Sequence, residues 1–110
     1  MQHQLLLEGR LYDVSSGELN DPDAAGSSAT VRLDPIVAGV LACLIEQPGR
    51  LLTRDEFMHR VWRDRVVVDE ALTRCISVLR QAFGDRRPHR VVQTLPKRGY
   101  RWINEVPFNR

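Results

Sequence analysis

The sequence is poor in the residues that build disulfide scaffolds and membrane spans. Its 110 residues include two cysteines, Cys43 and Cys75, too few for the disulfide framework of a small secreted protein and typical of a reducing, intracellular compartment. The longest apolar run, Ile36–Ile45, has ten residues, whereas a helix needs about 20 to cross a bilayer. No basic region leading into an apolar run opens the chain, as a secretory signal would require. We therefore predict a cytoplasmic location and no membrane contact by this segment.

Motifs for catalysis, metal binding and phosphate binding are missing as well. The sequence has no Cys-x-x-Cys or His-Glu-x-x-His spacing, no acidic metal cluster and no glycine-rich phosphate loop. Its histidines, His3, His59 and His89, stand isolated, and both cysteines fall in apolar segments where a thiol is expected to be an inert filler. We predict that the protein is not an enzyme and uses no cofactor and no metal ion.

Lysine is scarce, and acidic residues are scarce in one part of the chain. Fifteen of the sixteen basic residues are arginine, and residues 54–110 hold thirteen bases against seven acids, whereas residues 1–53 hold three against seven. Between Arg86 and Asn104 there are six bases and no acid. The planar guanidinium group suits bidentate contacts with phosphates and guanine edges. This asymmetry suggests either a charged face for an anionic partner or a merely solvated surface, and composition alone leaves both open.

The first 33 residues predict a small antiparallel sheet. Short apolar segments separated by turn residues indicate four strands, at Gln4–Glu8, Leu11–Val14, Gly17–Asn20 and Thr30–Leu33. Between the third and fourth strands, the small acidic segment Asp21–Ser28 (DPDAAGSS) predicts a mobile loop with no share in binding.

Residues 34–110 predict three helices and a β-hairpin. Asp34-Pro35 is a helix start, Thr53 with Glu56 forms a capping box, and Gly84 is a helix stop. The predicted elements are helices over Pro35–Glu46, Arg54–Trp62 and Asp69–Phe83, a non-helical connection over Arg63–Val68, and a hairpin within 90–103. We expect the sheet at 1–33 and the helical part at 34–110 to form one structural domain.

The third predicted helix has two different faces. One face is apolar and carries Leu72, Cys75, Ile76, Leu79, Ala82 and Phe83, and the other carries Glu70, Thr73, Arg74, Ser77, Arg80 and Gln81. Threonine, serine, glutamine and arginine are the side chains that read base edges. A short capped helix precedes this helix, and a hairpin with Lys97 and Arg98 at its tip follows it. This order is typical of a winged helix-turn-helix.

Three segments carry a family resemblance: LTRDEFMHRVW (Leu52–Trp62), ALTRCISVLRQAFGD (Ala71–Asp85) and VQTLPKRGYRW (Val92–Trp102). With them the chain resembles the winged-helix effector domains of OmpR/PhoB-type transcriptional regulators, in particular the CadC- and ToxR-like branch. The resemblance implies an α+β fold with an N-terminal four-stranded antiparallel sheet, three helices and a C-terminal wing. It departs from the family in the loop Asp21–Ser28, which is longer than relatives usually carry.

The resemblance also implies a function, sequence-specific binding of double-stranded DNA, with the third helix in the major groove and the wing in the minor groove. Arg80 would contact a phosphate, Trp62 would lie near the DNA backbone, and Arg98 would enter the minor groove. The full set of implied DNA contacts is Trp62, Thr73, Arg74, Ser77, Arg80, Gln81, Thr94, Lys97, Arg98 and Tyr100.

Further partners are implied beside DNA. The loop Arg63, Asp64, Arg65, Val66 matches a segment through which some relatives touch RNA polymerase, and a second copy on DNA is expected because one module covers few base pairs. No receiver domain is expected before Met1, whereas a membrane helix and sensor beyond Arg110 would make this the cytoplasmic domain of an inner-membrane regulator. The alternative function is a winged-helix protein-interaction module with little DNA specificity.

Overall fold

The N-terminal part of the chain forms the predicted four-stranded sheet. The structure is a computed structural model that describes residues 4–20, 30–68 and 70–106. Its first sheet is antiparallel with the order β1-β2-β3-β4, and its strands are β1 (Gln4–Leu7), β2 (Arg10–Asp13), β3 (Glu18–Asn20) and β4 (Thr30–Arg32). Each strand lies within two residues of its predicted bounds. The predicted loop Asp21–Ser28 lies outside the described residues.

One face of this sheet joins the hydrophobic core. Leu7, Tyr12 and Leu19 are buried, and Tyr12 pairs with Leu19 across β2 and β3. Burial raises the pKa of the Tyr12 hydroxyl, with the neighbouring Asp13 carboxylate adding a smaller effect in the same direction.

Helix α1 (Pro35–Glu46) is the central element of the core. Val40, Leu41 and Leu44 have no exposed surface. Asp34 occupies the predicted N-cap position, but its side chain makes no capping hydrogen bond. The helix start therefore depends on Pro35, whose ring fixes φ near the helical value.

Helix α2 (Arg54–Arg60) begins at the predicted capping box. Thr53 Oγ1 accepts a hydrogen bond from the Glu56 amide at 3.2 Å, and Glu56 Oε1 accepts one from the Thr53 amide at 3.1 Å. The predicted end at Trp62 is wrong, because the helix ends two residues earlier. Arg63 and Asp64 take left-handed φ values of 54° and 62°, which cannot continue a right-handed helix.

Helix α3 (Glu70–Ala82) ends at the glycine that the sequence predicts as a stop. Gly84 has φ of 64°, its amide donates to Gln81 O at 3.2 Å, and the Asp85 amide donates to Arg80 O at 2.7 Å. These two bonds form a Schellman motif. The predicted start at Asp69 lies outside the described residues.

The C-terminal hairpin belongs to a three-stranded sheet rather than standing alone. Its strands are β6 (Val92–Leu95) and β7 (Gly99–Trp102), and β7 also pairs with a two-residue strand, β5 (Leu52–Thr53). Strand β5 was not predicted, because two residues before a helix cap carry no periodic signal. Through β5, the start of α2 is attached to the hairpin.

A single core connects the helices with both sheets. Phe57, Leu72, Leu79 and Trp102 are fully buried, and the rings of Phe83 and Trp102 meet edge to face with centroids 5.3 Å apart. The predicted burial of both cysteines and of the apolar face of α3 is confirmed, although Ala82 is only half-buried. No helix in the described ranges is long and apolar enough to span a membrane.

We predict that Gly99→Ala destabilises the domain far more than Gly9→Ala. Both glycines have positive φ, but a Cβ at Gly99 would collide with the carbonyl oxygen of Leu52, whereas a Cβ at Gly9 would meet no atom within 4 Å. In urea unfolding, Gly99→Ala should cost about 3 kcal/mol or more and Gly9→Ala about 1 kcal/mol. Equal losses would contradict the close pairing of β5 with β7.

Candidate nucleic-acid interface

The exposed face of α3 presents unpaired polar side chains. Thr73, Arg74, Ser77 and Gln81 are exposed, on the side of the helix opposite its buried residues. At a rise of about 1.5 Å per residue they cover about 12 Å of the helix axis. Among the described residues, these four side chains make no hydrogen bond or ion pair with the rest of the protein. Their donors and acceptors are available to a ligand.

The tip of the wing, the hairpin β6–β7, holds two cations in solvent. The Leu95 carbonyl accepts a hydrogen bond from the Arg98 amide at 2.9 Å, which closes a tight turn with Pro96 at its second position. Lys97 takes a φ of 63°, a conformation that costs a non-glycine residue about 1 kcal/mol. The turn directs Lys97 and Arg98 outward, and both are exposed.

A groove of about 230 Å³ separates the wing from the starts of α2 and α3. Among the described residues that line it, Arg54, Lys97 and Arg98 are basic and none is acidic. The Tyr100 ring forms part of its wall and meets Phe57 edge to face, with centroids 6.3 Å apart. The groove therefore has a positive potential next to the polar face of α3.

Arg54 was not among the predicted site residues, yet it lines this groove. Arg54 follows the N-cap Thr53, and Thr53 pairs with Gly99 across β5 and β7. The capping box predicts where α2 begins, but only the missed strand β5 brings that position beside the wing. A signal in the sequence for Arg54 is therefore absent, because the pairing joins residues 46 positions apart.

Arg80 has a role inside the protein that the sequence analysis missed. Its Nε and Nη2 donate to the Val92 carbonyl at 3.2 and 2.8 Å, and Nη2 also donates to Thr94 Oγ1 at 2.7 Å. The side chain is 17% exposed. These bonds attach α3 to strand β6. The phosphate contact expected of Arg80 stays a prediction, and it would use donors that these bonds leave over.

Asp85 also attaches the end of α3 to strand β6. The carboxylate is buried, and it accepts hydrogen bonds from the Arg90 amide at 2.7 Å and the Val92 amide at 3.0 Å. Arg80 Nε lies 4.0 Å from Asp85 Oδ2. Burial lowers the pKa of Arg80, and the attraction to Asp85 opposes that effect. We call the bonds among Arg80, Asp85, Val92 and Thr94 the clasp.

Trp62 lies beneath the interface rather than on it. The indole is 8% exposed and lines an apolar groove of about 380 Å³ between the start of α1 and α3, together with Pro35, Ile36, Val37, Ala71, Cys75 and Val78. Arg74 and Asp34 lie at the edge of the same groove. The structure thus gives Trp62 a packing role, and its predicted position near a DNA backbone stays untested.

The predicted polymerase-contact loop is exposed. Arg63, Asp64, Arg65 and Val66 are all exposed, Val66 completely so. Asp64 Oδ2 lies 2.8 Å from His59 Nδ1 at the end of α2. Nothing in this geometry assigns the loop a partner.

The two helices α2 and α3, the basic wing and the clasp between them define a winged helix-turn-helix domain. A family model described as "Transcriptional regulatory protein, C terminal" matches residues 28–102, and the chain belongs to this family. The family predicted from the sequence, of OmpR/PhoB type, is thereby confirmed. It is a family of transcription-regulator domains.

Curated relatives are transcriptional regulators that are longer than this chain. The chain is 36% identical over 105 residues to the cholera toxin homolog transcriptional activator of Vibrio parahaemolyticus. This match covers 93% of the chain and 35% of that protein. It is 36% identical over 80 residues to HilA of Salmonella typhimurium (73% of the chain, 14% of HilA). It is 34% identical over 76 residues to CadC of Escherichia coli (67% and 15%). The chain thus spans between 14% and 35% of these relatives.

Solved structures share the fold. The DNA-binding domain of E. coli CadC matches with a TM-score of 0.80 and 24% identity over 98% of each chain. The Klebsiella pneumoniae RstA DNA-binding domain, in complex with the RstA box, matches with a TM-score of 0.71 and 17% identity, covering 91% of this chain and 96% of that one. The predicted winged-helix fold is confirmed.

We predict that Asp85→Asn weakens the domain by about 2–3 kcal/mol, because an amide group would present a donor to one of the two backbone amides that the carboxylate now accepts from. Glu105→Gln is the matched control, since Glu105 is exposed and its change should cost at most about 0.5 kcal/mol. Urea unfolding of both variants measures the difference. A loss at Asp85 no larger than at Glu105 would show that the clasp contributes nothing to stability.

Proposed function

We propose that this domain binds double-stranded DNA sequence-specifically, as the effector domain of a bacterial transcriptional regulator. The observation that carries the proposal is the unpaired polar face of α3 beside a cationic wing that the clasp holds in a fixed position. Both elements offer groups to a ligand beside one groove, and the described residues that line this groove include three cations and no carboxylate.

Helix α3 is the proposed reader of base edges. An α-helix with its side chains is about 10–12 Å wide and fits the major groove, which is about 12 Å wide. Thr73, Ser77 and Gln81 offer hydroxyl and amide groups, and Arg74 can bond a guanine through two parallel hydrogen bonds. Their free donors and acceptors support this role, because buried or paired groups could not reach a base.

The wing is the proposed minor-groove element. Arg98 would enter a narrow A·T-rich groove, which attracts arginine by its negative potential. Lys97 would contact a phosphate beside it, and Thr94 and Tyr100 would bond phosphates from the wing strands. Lys97 keeps a left-handed backbone that glycine would adopt more easily, which supports a use for its charge.

Arg54 joins the proposed phosphate contacts, because it lines the groove beside the wing tip. Arg80 would add a phosphate contact on the outer side of the clasp. Trp62 would act near the DNA backbone mainly by supporting Arg74, with which it shares a groove.

We place the domain in the cytoplasm, where its proposed DNA partner lies. We also propose that two copies of the domain bind half-sites about one helical turn apart.

A protein-interaction module is the second candidate function. The observation that favours it is the exposure of Val66 and Val68, two neighbouring apolar side chains in the loop between α2 and α3 that a partner surface could cover. RNA polymerase is the proposed partner of the loop Arg63, Asp64, Arg65, Val66. Both functions fit one regulator, in which the wing and α3 hold DNA while the loop meets the polymerase.

The DNA proposal predicts a strong dependence on salt. If the domain neutralises about 4–6 phosphates, the logarithm of the binding constant should fall with the logarithm of salt concentration at a slope between about −4 and −5.

The variant Arg74→Ala should lose about 1–3 kcal/mol of binding free energy on the best site and lose its preference at one base position. Arg98→Ala should weaken all sequences more evenly and lower the slope by about one.

Titration of labelled duplex across salt, and selection from randomised DNA with each variant, measure these effects. Arg60→Ala is the matched control, because Arg60, at the end of α2, is paired with Glu46 at the end of α1 at 2.8 Å and lines no part of the groove. It should leave the preferred sequence unchanged. A flat salt dependence would remove the DNA proposal and favour the protein-interaction module. An altered preference with Arg98→Ala but not with Arg74→Ala would reverse the roles of wing and helix.

A further inference from the structure

A second basic cleft lies at the far end of α3, away from the groove beside the wing tip. It has a volume of about 410 Å³ and separates the turn between β1 and β2 from the segment that follows α3. The described residues that line it include four arginines, which are Arg10, Arg86, Arg87 and Arg90. The proposed DNA contacts of α3 and the wing use none of them.

Three of these arginines have no partner among the described residues. Arg86, Arg87 and Arg90 are exposed, and their guanidinium groups make no hydrogen bond or ion pair there. Arg10 differs, since its guanidinium lies 6.0 Å from the centroid of the Phe83 ring, which holds it against the wall of the cleft.

Two carboxylates, Glu8 and Asp85, line the cleft beside the arginines, and among the described residues neither forms an ion pair with Arg86, Arg87 or Arg90. The Asp85 side chain is 1% exposed, and its two carboxylate oxygens accept hydrogen bonds from the backbone amides of Arg90 and Val92. Glu8 accepts from Asn104 Nδ2, with both oxygens at 3.1 Å. Arg87 is close enough to Arg80 for their repulsion to contribute to the lowered pKa of Arg80, after the larger effect of burial. The cleft therefore keeps a surplus of positive charge.

We propose that this cleft is a second phosphate-binding site, which takes two or more closely spaced phosphate groups. Guanidinium groups bind phosphate oxygens through paired hydrogen bonds, and several arginines around one cleft fit a ligand with several phosphates. The phosphates come either from a stretch of DNA backbone beyond the contacts of α3 and the wing or from a free polyphosphate group. The DNA source rests on the proposed function, whereas the free source does not.

The first experiment titrates inorganic tripolyphosphate into the protein by calorimetry. The site variant is Arg86→Gln/Arg87→Gln, and the control is Arg32→Gln/Arg60→Gln, which removes the same charge from β4 and α2. We expect at least a tenfold loss of affinity in the site variant and a change within about twofold in the control. Equal weakening by both variants would overturn the proposal, because it would show a response to net charge alone. Matching thermal unfolding of the two variants checks that both remain folded.

The second experiment identifies the source of the phosphates. Binding is compared across salt for a duplex of about one helical turn, roughly 10–12 base pairs, and one of about three turns. If DNA is the source, the site variant should lower the salt slope by about two on the long duplex and leave it unchanged on the short one. An unchanged slope together with tripolyphosphate binding assigns the cleft to a free polyphosphate.

If the site variant keeps both its affinity for tripolyphosphate and its salt slope, the proposal is overturned. A wild-type protein that binds no duplex would refute the proposed function, and the tripolyphosphate titration would still decide the nature of the cleft.

Discussion

The position of the wing depends on one guanidinium group. Arg80 is part of α3, yet its hydrogen bonds end on Val92 and Thr94 of the wing strand β6. The Asp85 carboxylate accepts a hydrogen bond from the backbone amide of Val92 in the same strand, and it lies beside Arg80. A buried carboxylate and a nearly buried arginine are costly unless both are bonded, so each makes the other tolerable. Helix and wing consequently form one surface rather than two parts joined by a flexible segment.

This arrangement separates the cations by task. Arg80 is withdrawn into the protein, and its charge serves the contact between α3 and the wing. Arg54, Arg74, Lys97 and Arg98 stay on the surface around α3 and the groove beside it. Lys97 retains a left-handed backbone, at a cost of about 1 kcal/mol to a domain whose total stability is marginal. The backbone conformation at the tip of the wing therefore lowers the stability of the domain.

Local signals in the sequence predicted most of the fold. Pro35, the Thr53–Glu56 capping box and Gly84 each mark a helix boundary through contacts within four residues, and the structure has boundaries at these places. The features that sequence reasoning missed connect distant residues: β5 pairs with β7 across more than 40 positions, and Arg80 meets Thr94 across 14. Such contacts leave no periodic pattern. The amphipathic pattern places Arg80 on the polar face of α3. The pattern cannot show that strand β6 packs against α3 at Arg80.

Amide hydrogen exchange in Arg80→Lys, measured without DNA, tests the clasp most directly. Lysine keeps the positive charge and could still contact a phosphate, but a single ammonium group cannot reproduce the forked bonds to Val92 and Thr94. Hydrogen bonds of charged groups contribute about 1.5–3 kcal/mol, so exchange in β6 and β7 should become at least about tenfold faster while exchange in α1 stays unchanged. Unchanged exchange in the wing strands would contradict the account, because the wing would then hold its position without Arg80.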